Sequence, residues 1–139
     1  MNRIILRTDG ASRGNPGNSA IAFVIEGIGE ENIEFGKKIG DTTNNQAEYQ
    51  ALVAGLERIY QETPRDSEII VYSDSEFMVK QINGEYKVKN ALIRPVYEMA
   101  KSLISDIEKN GNIISFEAIR RENNKRADEL CNMALDNQL

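Results

Sequence analysis

The chain has 139 residues, a formal net charge of -5 and no histidine, and 40% of its residues are hydrophobic and 28% are charged. This composition is typical of one globular domain, and no apolar run approaches the roughly 20 residues that a membrane span requires. The lack of histidine excludes Ser-His-Asp and Cys-His catalysis, histidine general bases and histidine zinc sites. Any metal chemistry must therefore use carboxylates, which favour hard cations such as Mg²⁺ or Mn²⁺.

Location and partner class are predicted from the first residues, the cysteine count and the charge. The apolar stretch between Arg3 and Arg7 is too short for a signal peptide, and the single cysteine, Cys131, allows no intrachain disulfide. We therefore expect one cytoplasmic, monomeric domain, residues 1–139, with no membrane partner. The negative charge argues against a nucleic-acid partner, because phosphate binding usually leaves a basic footprint, unless several acids cluster around bound metal.

The first elements in chain order are three strands. Ile4 to Thr8 is a continuous apolar-rich run, typical of a strand covered on both faces, and it leads into Asp9 and a glycine-rich loop. Ser19 to Gly27 and Asn32 to Gly40 predict a hairpin that pairs with this strand. Taken singly, an Asp-Gly pair is a common turn sequence, so Asp9 alone indicates no ligand site.

A capping box then predicts the first helix. Thr43-x-x-Gln46 fits that pattern, and apolar residues at helical spacing extend the helix to near Pro64. Glu48 lies in its first turns on the same stripe as Leu52, so it faces the protein body, where acids are uncommon. A role in the helix dipole alone is the alternative.

The second half of the chain alternates strands and helices. A second apolar run, Ile69 to Ser73, ends in Asp74, and a short helix from Ser75 to Ile82 follows. Asp128 flanks the apolar stripe of the last helix, although taken alone it is explained by a structural role. The remaining predicted elements are a helix from Pro95 to Lys109, a strand from Asn110 to Ile119 and a terminal helix with the stripe Ala127, Leu130, Cys131, Ala134 and Leu135.

This order of elements predicts an α/β fold with helices on both faces of a mixed sheet. Parallel pairing of the strands that end at Asp9 and Asp74 would place these two carboxylates side by side, since neighbouring strands lie about 4.8 Å apart. Ligand sites in such sheets lie beyond the carboxyl ends of the strands. Together with Glu48 and Asp128, they would form a repulsive cluster that requires cations, protons or hydrogen bonds.

Each of these four acids lies in one of four sequence blocks, TDGASRGNPG, TNNQAEYQAL, SDSEFMVKQING and RRENNKRADEL. In this order and spacing, over nearly the whole chain, the blocks resemble the type 1 ribonuclease H family, in particular its short bacterial and archaeal members. The resemblance implies a ribonuclease H-like five-stranded mixed sheet flanked by helices. It also implies an endoribonuclease that cleaves the RNA strand of RNA/DNA hybrids and leaves 5′-phosphate and 3′-hydroxyl ends.

The resemblance assigns metal ligation to Asp9, Glu48, Asp74 and Asp128, with two Mg²⁺ or Mn²⁺ ions per active site. Two such ions about 4 Å apart can activate a water and stabilise the leaving 3′-oxygen. Asp9 and Asp74, on rigid strands, are expected to contact both ions or to anchor the site. Glu48 is then expected on one ion and Asp128 on the other.

Substrate recognition must depend on the 2′-hydroxyl, the local difference between RNA and DNA backbones. Glu48 and the glycine-rich loop are placed to contact it. The alternative for Asn44 and Asn45 is helix capping, and for each basic residue it is a solvated surface charge. The expected substrate-binding residues are Gly10, Ser12, Asn15, Asn44, Asn45 and Gln46 along the minor groove, and Arg13, Lys80, Lys87 and Lys89 at phosphates.

Three features depart from the family pattern. Many relatives carry a histidine before the last helix, and here Arg121 is the expected catalytic substitute, with Arg120 and Glu122 as alternatives. Its role would be electrostatic, because arginine cannot act as a base at neutral pH. The segment NGEYKVKNALIRPVYEM is too short for a basic protruding helix, which predicts weak, salt-sensitive binding, and Glu76 replaces a frequent glutamine.

Three functions remain open from the sequence. The first is cleavage of RNA/DNA hybrids, and the second is broader cleavage that includes double-stranded RNA, because a short binding region would discriminate less. The third is a catalytically silent binding domain on the same fold. Loss of a metal ligand would be expected of a silent domain, whereas all four acids are present.

Overall fold

The computed structural model describes residues 2–139, and its five strands form one mixed sheet in the order β3-β2-β1-β4-β5. β1 pairs antiparallel with β2 and parallel with β4, while β2–β3 is antiparallel and β4–β5 is parallel. The predicted α/β fold with a five-stranded mixed sheet is confirmed. The strands are β1 (Asn2–Gly14), β2 (Gly17–Glu26), β3 (Ile33–Thr42), β4 (Ser67–Ser73) and β5 (Ile113–Ala118).

Four helices cover the sheet, and local hydrogen bonds define the start of the first one. Thr43 caps the first helix through the predicted capping box, since its hydroxyl accepts the Gln46 N–H and the Gln46 side chain accepts the Thr43 N–H. Within residues 2–139, no helix is long and apolar enough to cross a membrane. The helices are α1 (Asn44–Glu62), α2 (Glu76–Ile82), α3 (Arg94–Glu108) and α4 (Lys125–Leu135), and a 3₁₀ turn (Arg121–Asn123) precedes α4.

The two faces of the sheet are packed differently. The main core lies under α1, α2 and α3, where Leu6 of β1 and Leu56 of α1 are fully buried. On the opposite face α4 packs on β1, β2 and β3, with small residues such as Ala20 and Ala22 against Cys131. The prediction that β4 is covered on both faces is wrong, because its residues alternate between buried and partly exposed.

Asp9 lies within β1 and not in a loop after it, which corrects the expected strand end at Thr8. The parallel neighbour β4 stops opposite Thr8, but the ladder with β2 continues through Asp9 to Gly14. The Gly10 position serves close packing rather than a turn. A Cβ atom there would lie 2.2 Å from the carbonyl carbon of Ala47, so only glycine lets α1 approach β1 this closely.

Candidate metal centre

Three carboxylates from three elements meet at one end of the sheet. Asp9 lies on β1, Asp74 follows the last residue of β4, and Glu48 lies in the first turns of α1. One oxygen from each carboxylate lies within 4.8 Å of the other two. The parallel register, which pairs Thr8 with Ser73, explains why Asp9 and Asp74 are neighbours. The close approach at Gly10 brings α1, and with it Glu48, to the same point.

Two of the three carboxylates are strongly desolvated, and Asp74 is partly buried. Asp9 is only 4% exposed and Glu48 9%, and the Oε2 atom of Glu48 is buried with no hydrogen-bond partner among residues 2–139. An isolated buried carboxylate is costly, so ions, protons or donors must compensate for the trio. Oxygen ligands of this kind suit a hard divalent cation, and an unpartnered buried carboxylate oxygen fits a metal ligand.

The pKa values of the three groups reflect this crowding. Burial, followed by the negative charges of Asp74 and Asp128, raises the pKa of Asp9 to about 7. Burial also raises the pKa of Glu48 well above its usual range, helped by the charges of Asp9 and Asp74, while the Gly10 N–H opposes the shift. The pKa of Asp74 is raised chiefly by burial. A divalent cation or protons would therefore be taken up readily by this cluster.

Asp128 lies beside this trio rather than within it. Its side chain, on the first turn of α4, is 28% exposed and its Oδ1 accepts a hydrogen bond from Arg121 Nη2 at 3.2 Å. Its charge contributes to the raised pKa of both Asp9 and Asp74, which places it close to them. Arg121 lowers the pKa of the same two groups, so its guanidinium also faces the cluster.

An open groove of about 1120 Å³ leads to the carboxylates. At its wall the Ser12 N–H donates to Asn44 Oδ1 at 3.0 Å, and the Asn44 N–H donates to Oδ1 of Asn15, which lies outside the groove lining, at 3.1 Å. Lys80 reaches the groove while it pairs with Glu76 at 3.0 Å. The predicted site residues that line the groove are Asp9, Gly10, Ser12, Asn44, Glu48, Asp74, Lys80, Arg120 and Arg121.

Other predicted site residues lie outside this groove. Arg13 turns towards the end of α4, where it pairs with Asp136 at 2.6 Å. The Gln46 side chain is engaged in the capping box of α1. Glu122 lines a different hollow, on the α4 side of the sheet. Of the three candidates for the missing histidine, Arg121 is the one that hydrogen-bonds to an acid of the site.

A second hollow of about 570 Å³ lies beside α2 and contains Asn45, Lys87 and Lys89. It also contains two aromatic residues that the sequence reasoning missed, Phe77 and Tyr86, whose ring centroids are 5.7 Å apart. Both rings are about half exposed. Alternation of aromatic and basic residues over 77–89 was the available signal, because exposed rings next to lysines are typical of surfaces that bind nucleic acid.

Comparison with known proteins gives consistent matches over most of the chain. A family model described as reverse transcriptase-like matches residues 7–134. Ribonuclease HI of Halobacterium salinarum is 39% identical over 129 residues, which cover 92% of this chain and 62% of that protein. Ribonuclease H of Pseudomonas entomophila is 30% identical over 142 residues, which cover 93% of this chain and 90% of that protein.

The fold is similar to that of solved structures. LC11-RNase H1 in complex with an RNA/DNA hybrid superposes with a TM-score of 0.86 and 38% identity, covering 96% of this chain and 97% of that one. The chain spans about a third of the length of the mycobacterial relatives that it matches, since it covers 36% of each of them.

Proposed function

Because the chain belongs to the ribonuclease H family, we propose that it is a metal-dependent endoribonuclease that hydrolyses the RNA strand of RNA/DNA hybrids. The observation that carries this proposal is the trio of Asp9, Glu48 and Asp74, which meet within 4.8 Å at the floor of an open groove. The burial of Asp9 and Glu48, with an oxygen of Glu48 that has no hydrogen-bond partner in the described part of the chain, suits a bound cation. The products would carry 5′-phosphate and 3′-hydroxyl ends.

The four acids would share the binding of two Mg²⁺ or Mn²⁺ ions. When bound, the ions supply a nucleophilic water and charge stabilisation for the leaving 3′-oxygen. Asp9 and Asp74, held by adjacent strands, would contact both ions or anchor the site. Glu48 would contact one ion, and Asp128, which lies beside the trio, would contact the other.

Arg121 would act through its charge. Its guanidinium hydrogen-bonds to Asp128 and partly offsets the raised pKa of Asp9 and Asp74, so it favours the ionised, metal-binding form of these acids. Because a guanidinium stays protonated at neutral pH, it takes no proton from water. It is exposed on the groove wall, where it can also attract the scissile phosphate.

The groove would bind sugars and base edges of the hybrid, and the hollow beside α2 would bind its phosphates. Ser12 and Asn44, joined by a hydrogen bond beside the carboxylates, are placed to contact sugars and base edges, with Gly10, Asn15, Asn45 and Gln46 nearby. Lys87 and Lys89, next to exposed aromatic rings, would contact phosphates, as would Lys80. Arg13 would contribute only if it left its ion pair with Asp136.

A cleavage assay tests the proposal. Labelled RNA/DNA hybrid, duplex RNA and duplex DNA are incubated with Mg²⁺, Mn²⁺ or EDTA, and the ends of the products are mapped. We expect cleavage of the RNA strand of the hybrid with either metal and none with EDTA. Cleavage of duplex RNA at a comparable rate would show a broader nuclease. No cleavage of any substrate would contradict both nuclease functions and support a catalytically silent binding domain.

Asp74→Asn is the matched variant for that assay. The change keeps the shape of the side chain but removes its charge, so metal-dependent cleavage should fall by at least about a hundredfold. Asp106→Asn, on the exposed surface of α3, should cleave at the wild-type rate. Full activity of Asp74→Asn would show that Asp74 is not a metal ligand.

A further inference from the structure

Asn124 is a fully buried polar residue that joins α4 to the strand carrying Asp9. Its side-chain Nδ2 donates a hydrogen bond to the carbonyl oxygen of Thr8 at 2.9 Å. Thr8 immediately precedes Asp9 and is the last residue of β1 that pairs with β4. The bond therefore fastens α4 to β1 at the peptide that leads into the metal centre.

The backbone of Asn124 makes two further contacts at the same place. Its carbonyl accepts the N–H of Asp128 at 3.1 Å, and its own N–H donates to the carbonyl of Arg121 at 2.9 Å. Two hydrogen bonds in series thus connect the peptide before Asp9 to the backbone of Asp128. The 3₁₀ turn that begins at Arg121 is also hydrogen-bonded to Asn124.

A second contact lies on the other side of Asp128. The Sγ atom of Cys131 is 3.2 Å from the carbonyl oxygen of Asp9 and can donate to it. Residues 124, 128 and 131 follow the i, i+4, i+7 spacing, so they share one face of the helix. Asp128 is held between two points at which α4 touches the backbone around Asp9.

The Asn124 side chain does not serve as an ordinary helix cap. It occupies the N-cap position of α4, where asparagine usually accepts a backbone N–H, but it makes no such bond. Its Oδ1 atom is buried, and no residue that the structure describes hydrogen-bonds to it. The amide is therefore oriented for donation to Thr8 at the expense of capping, as expected if the bridge to β1 matters more than the stability of the helix end.

We propose that Asn124 is a positioning residue that sets the separation of Asp128 from Asp9 and thereby the geometry of the metal site. The proposal rests on the proposed role of Asp128 as a metal ligand. Asp128 lies outside the tight trio and is more exposed than Asp9 or Glu48, so the backbone bridge is what keeps it in register. Loss of a group that orients a metal ligand typically costs about ten- to a hundredfold in metal affinity or activity.

Asn124→Ala tests the proposal by Mn²⁺ titration calorimetry on the substrate-free protein. We expect Mn²⁺ affinity to weaken about tenfold and kcat on the hybrid to fall, with KM for the hybrid unchanged. Asn112→Ala is the matched control. Asn112 is also buried, and its side chain donates to the carbonyls of Pro64 and Ile107 and accepts from the Ser67 N–H, but it lies at the opposite end of β4. This control should lose thermal stability and keep wild-type Mn²⁺ affinity.

Asn124→Ser separates positioning from folding. Serine is a good helix N-cap, so α4 should remain formed, but its side chain is too short to reach the Thr8 carbonyl. The weaker Mn²⁺ affinity should therefore persist in this variant. Wild-type affinity in Asn124→Ser, or an equal loss in Asn112→Ala, would overturn the positioning role.

Asp128→Asn distinguishes this inference from the proposed function. If Asp128→Asn weakens Mn²⁺ binding while both Asn124 variants bind normally, the positioning role alone is wrong. If Asp128→Asn binds Mn²⁺ as the wild type does, Asp128 is not a ligand and both assignments fall. A double variant, Asn124→Ala with Asp128→Asn, should bind no more weakly than Asp128→Asn alone, because the bridge acts through Asp128.

Discussion

The carboxyl groups of Asp9 and Glu48 lie where water has little access, and this burial changes their pKa values. Burial and repulsion raise the pKa of both carboxyls, and the Oε2 atom of Glu48 has no partner among the described residues. Arg121 opposes the repulsion at Asp9 from the side of Asp128. A bound cation would therefore make the arrangement favourable.

The raised pKa of Asp9 predicts an unusual pH dependence of stability in EDTA. Its pKa is about 7 in the folded chain and 3.8 when unperturbed, so between these values the folded state holds a proton that the unfolded state has lost. The free energy of unfolding should fall as pH rises through this window, by at most about 4 kcal/mol from this group. Denaturant titrations at pH 5 and pH 8 measure the part of this fall that lies above pH 5, at most about 3 kcal/mol.

Asp9→Asn is the control for that measurement, because it removes the titrating group. Its stability should change less between pH 5 and pH 8 than that of the wild type. Saturating Mg²⁺ should restore stability at pH 8 in the wild type and much less in the variant. A wild-type stability that rises from pH 5 to pH 8 in EDTA would contradict the assigned pKa.

Arg121→Ala should slow turnover about ten- to hundredfold because positive charge is lost next to the reacting phosphate. Metal-dependent cleavage should remain detectable, since the four acids are still present. Arg120→Ala is the matched control, because the Arg120 side chain is 83% exposed and, within residues 2–139, forms an ion pair with Glu122 and with no acid of the cluster. A wild-type rate for Arg121→Ala, or a larger loss for Arg120→Ala, would reassign the role of the missing histidine.

At the scale of elements, the site depends on how closely α1 and α4 approach β1. α1 approaches β1 closely at Gly10, where the backbone of α1 occupies the space that a side chain at residue 10 would need. α4 reaches the other face over the small residues Ala20 and Ala22. Because Glu48 and Asp128 are carried by these two helices, small shifts of either helix would move a ligand without changing any ligand residue.

Gly10→Ala should separate α1 from β1. The added Cβ would lie 2.2 Å from the Ala47 carbonyl carbon, so we expect a loss of about 1–3 kcal/mol in unfolding free energy. Metal affinity should also fall, since Glu48 moves with the helix. Gly29→Asn is the control, because nothing lies within 4 Å of a Cβ there and asparagine tolerates its positive φ of 71°. Equal metal affinity in Gly10→Ala and the wild type would contradict this account.

At the scale of the whole molecule, an acidic chain must bind a polyanion through a small basic surface. The net charge is -5, and two of the expected phosphate contacts, Lys87 and Lys89, lie together in the hollow beside α2. The segment that joins α2 to α3 carries this surface and contains no helix or strand of its own. Affinity for the hybrid should therefore be modest and depend strongly on salt.

The salt dependence of hybrid binding tests this surface. The dissociation constant, measured in Ca²⁺ to prevent cleavage, should rise steeply between 50 and 200 mM salt. Lys87→Ala and Lys89→Ala should each reduce the slope of log affinity against log salt by about one. Lys109→Ala, at the far end of α3, should leave the slope unchanged. No change in slope for either lysine of the hollow would remove it from the binding surface.

The local signals of the sequence predicted several elements well. The Thr43 capping box begins α1, because hydrogen bonds between residues three apart form from the residues themselves. The order of strands and helices predicted the mixed sheet. The strand end after Thr8 was wrong, because the partner that extends β1 lies on another strand and the glycines resembled a turn.

Some residues of the site could be recognised from the sequence, and others could not. The acids Asp9, Glu48 and Asp74 were found from their position at strand ends and on an inward helix stripe, and the structure brings them together. The bridging role of Asn124 was not found, since an asparagine before a helix predicts a cap. Arg13 was expected at phosphate, but its ion pair with Asp136, 123 positions away, is visible only in three dimensions.

By itself, the amino-acid sequence determined the fold class and the identity of the clustered acids, because apolar periodicity and residue chemistry are encoded locally. The tertiary structure alone decided how those acids are spaced, which arginine faces them and which buried amide ties α4 to β1. Those features depend on contacts between residues distant in the chain. Their geometry is set by close packing of helices on the sheet, and no local pattern records it.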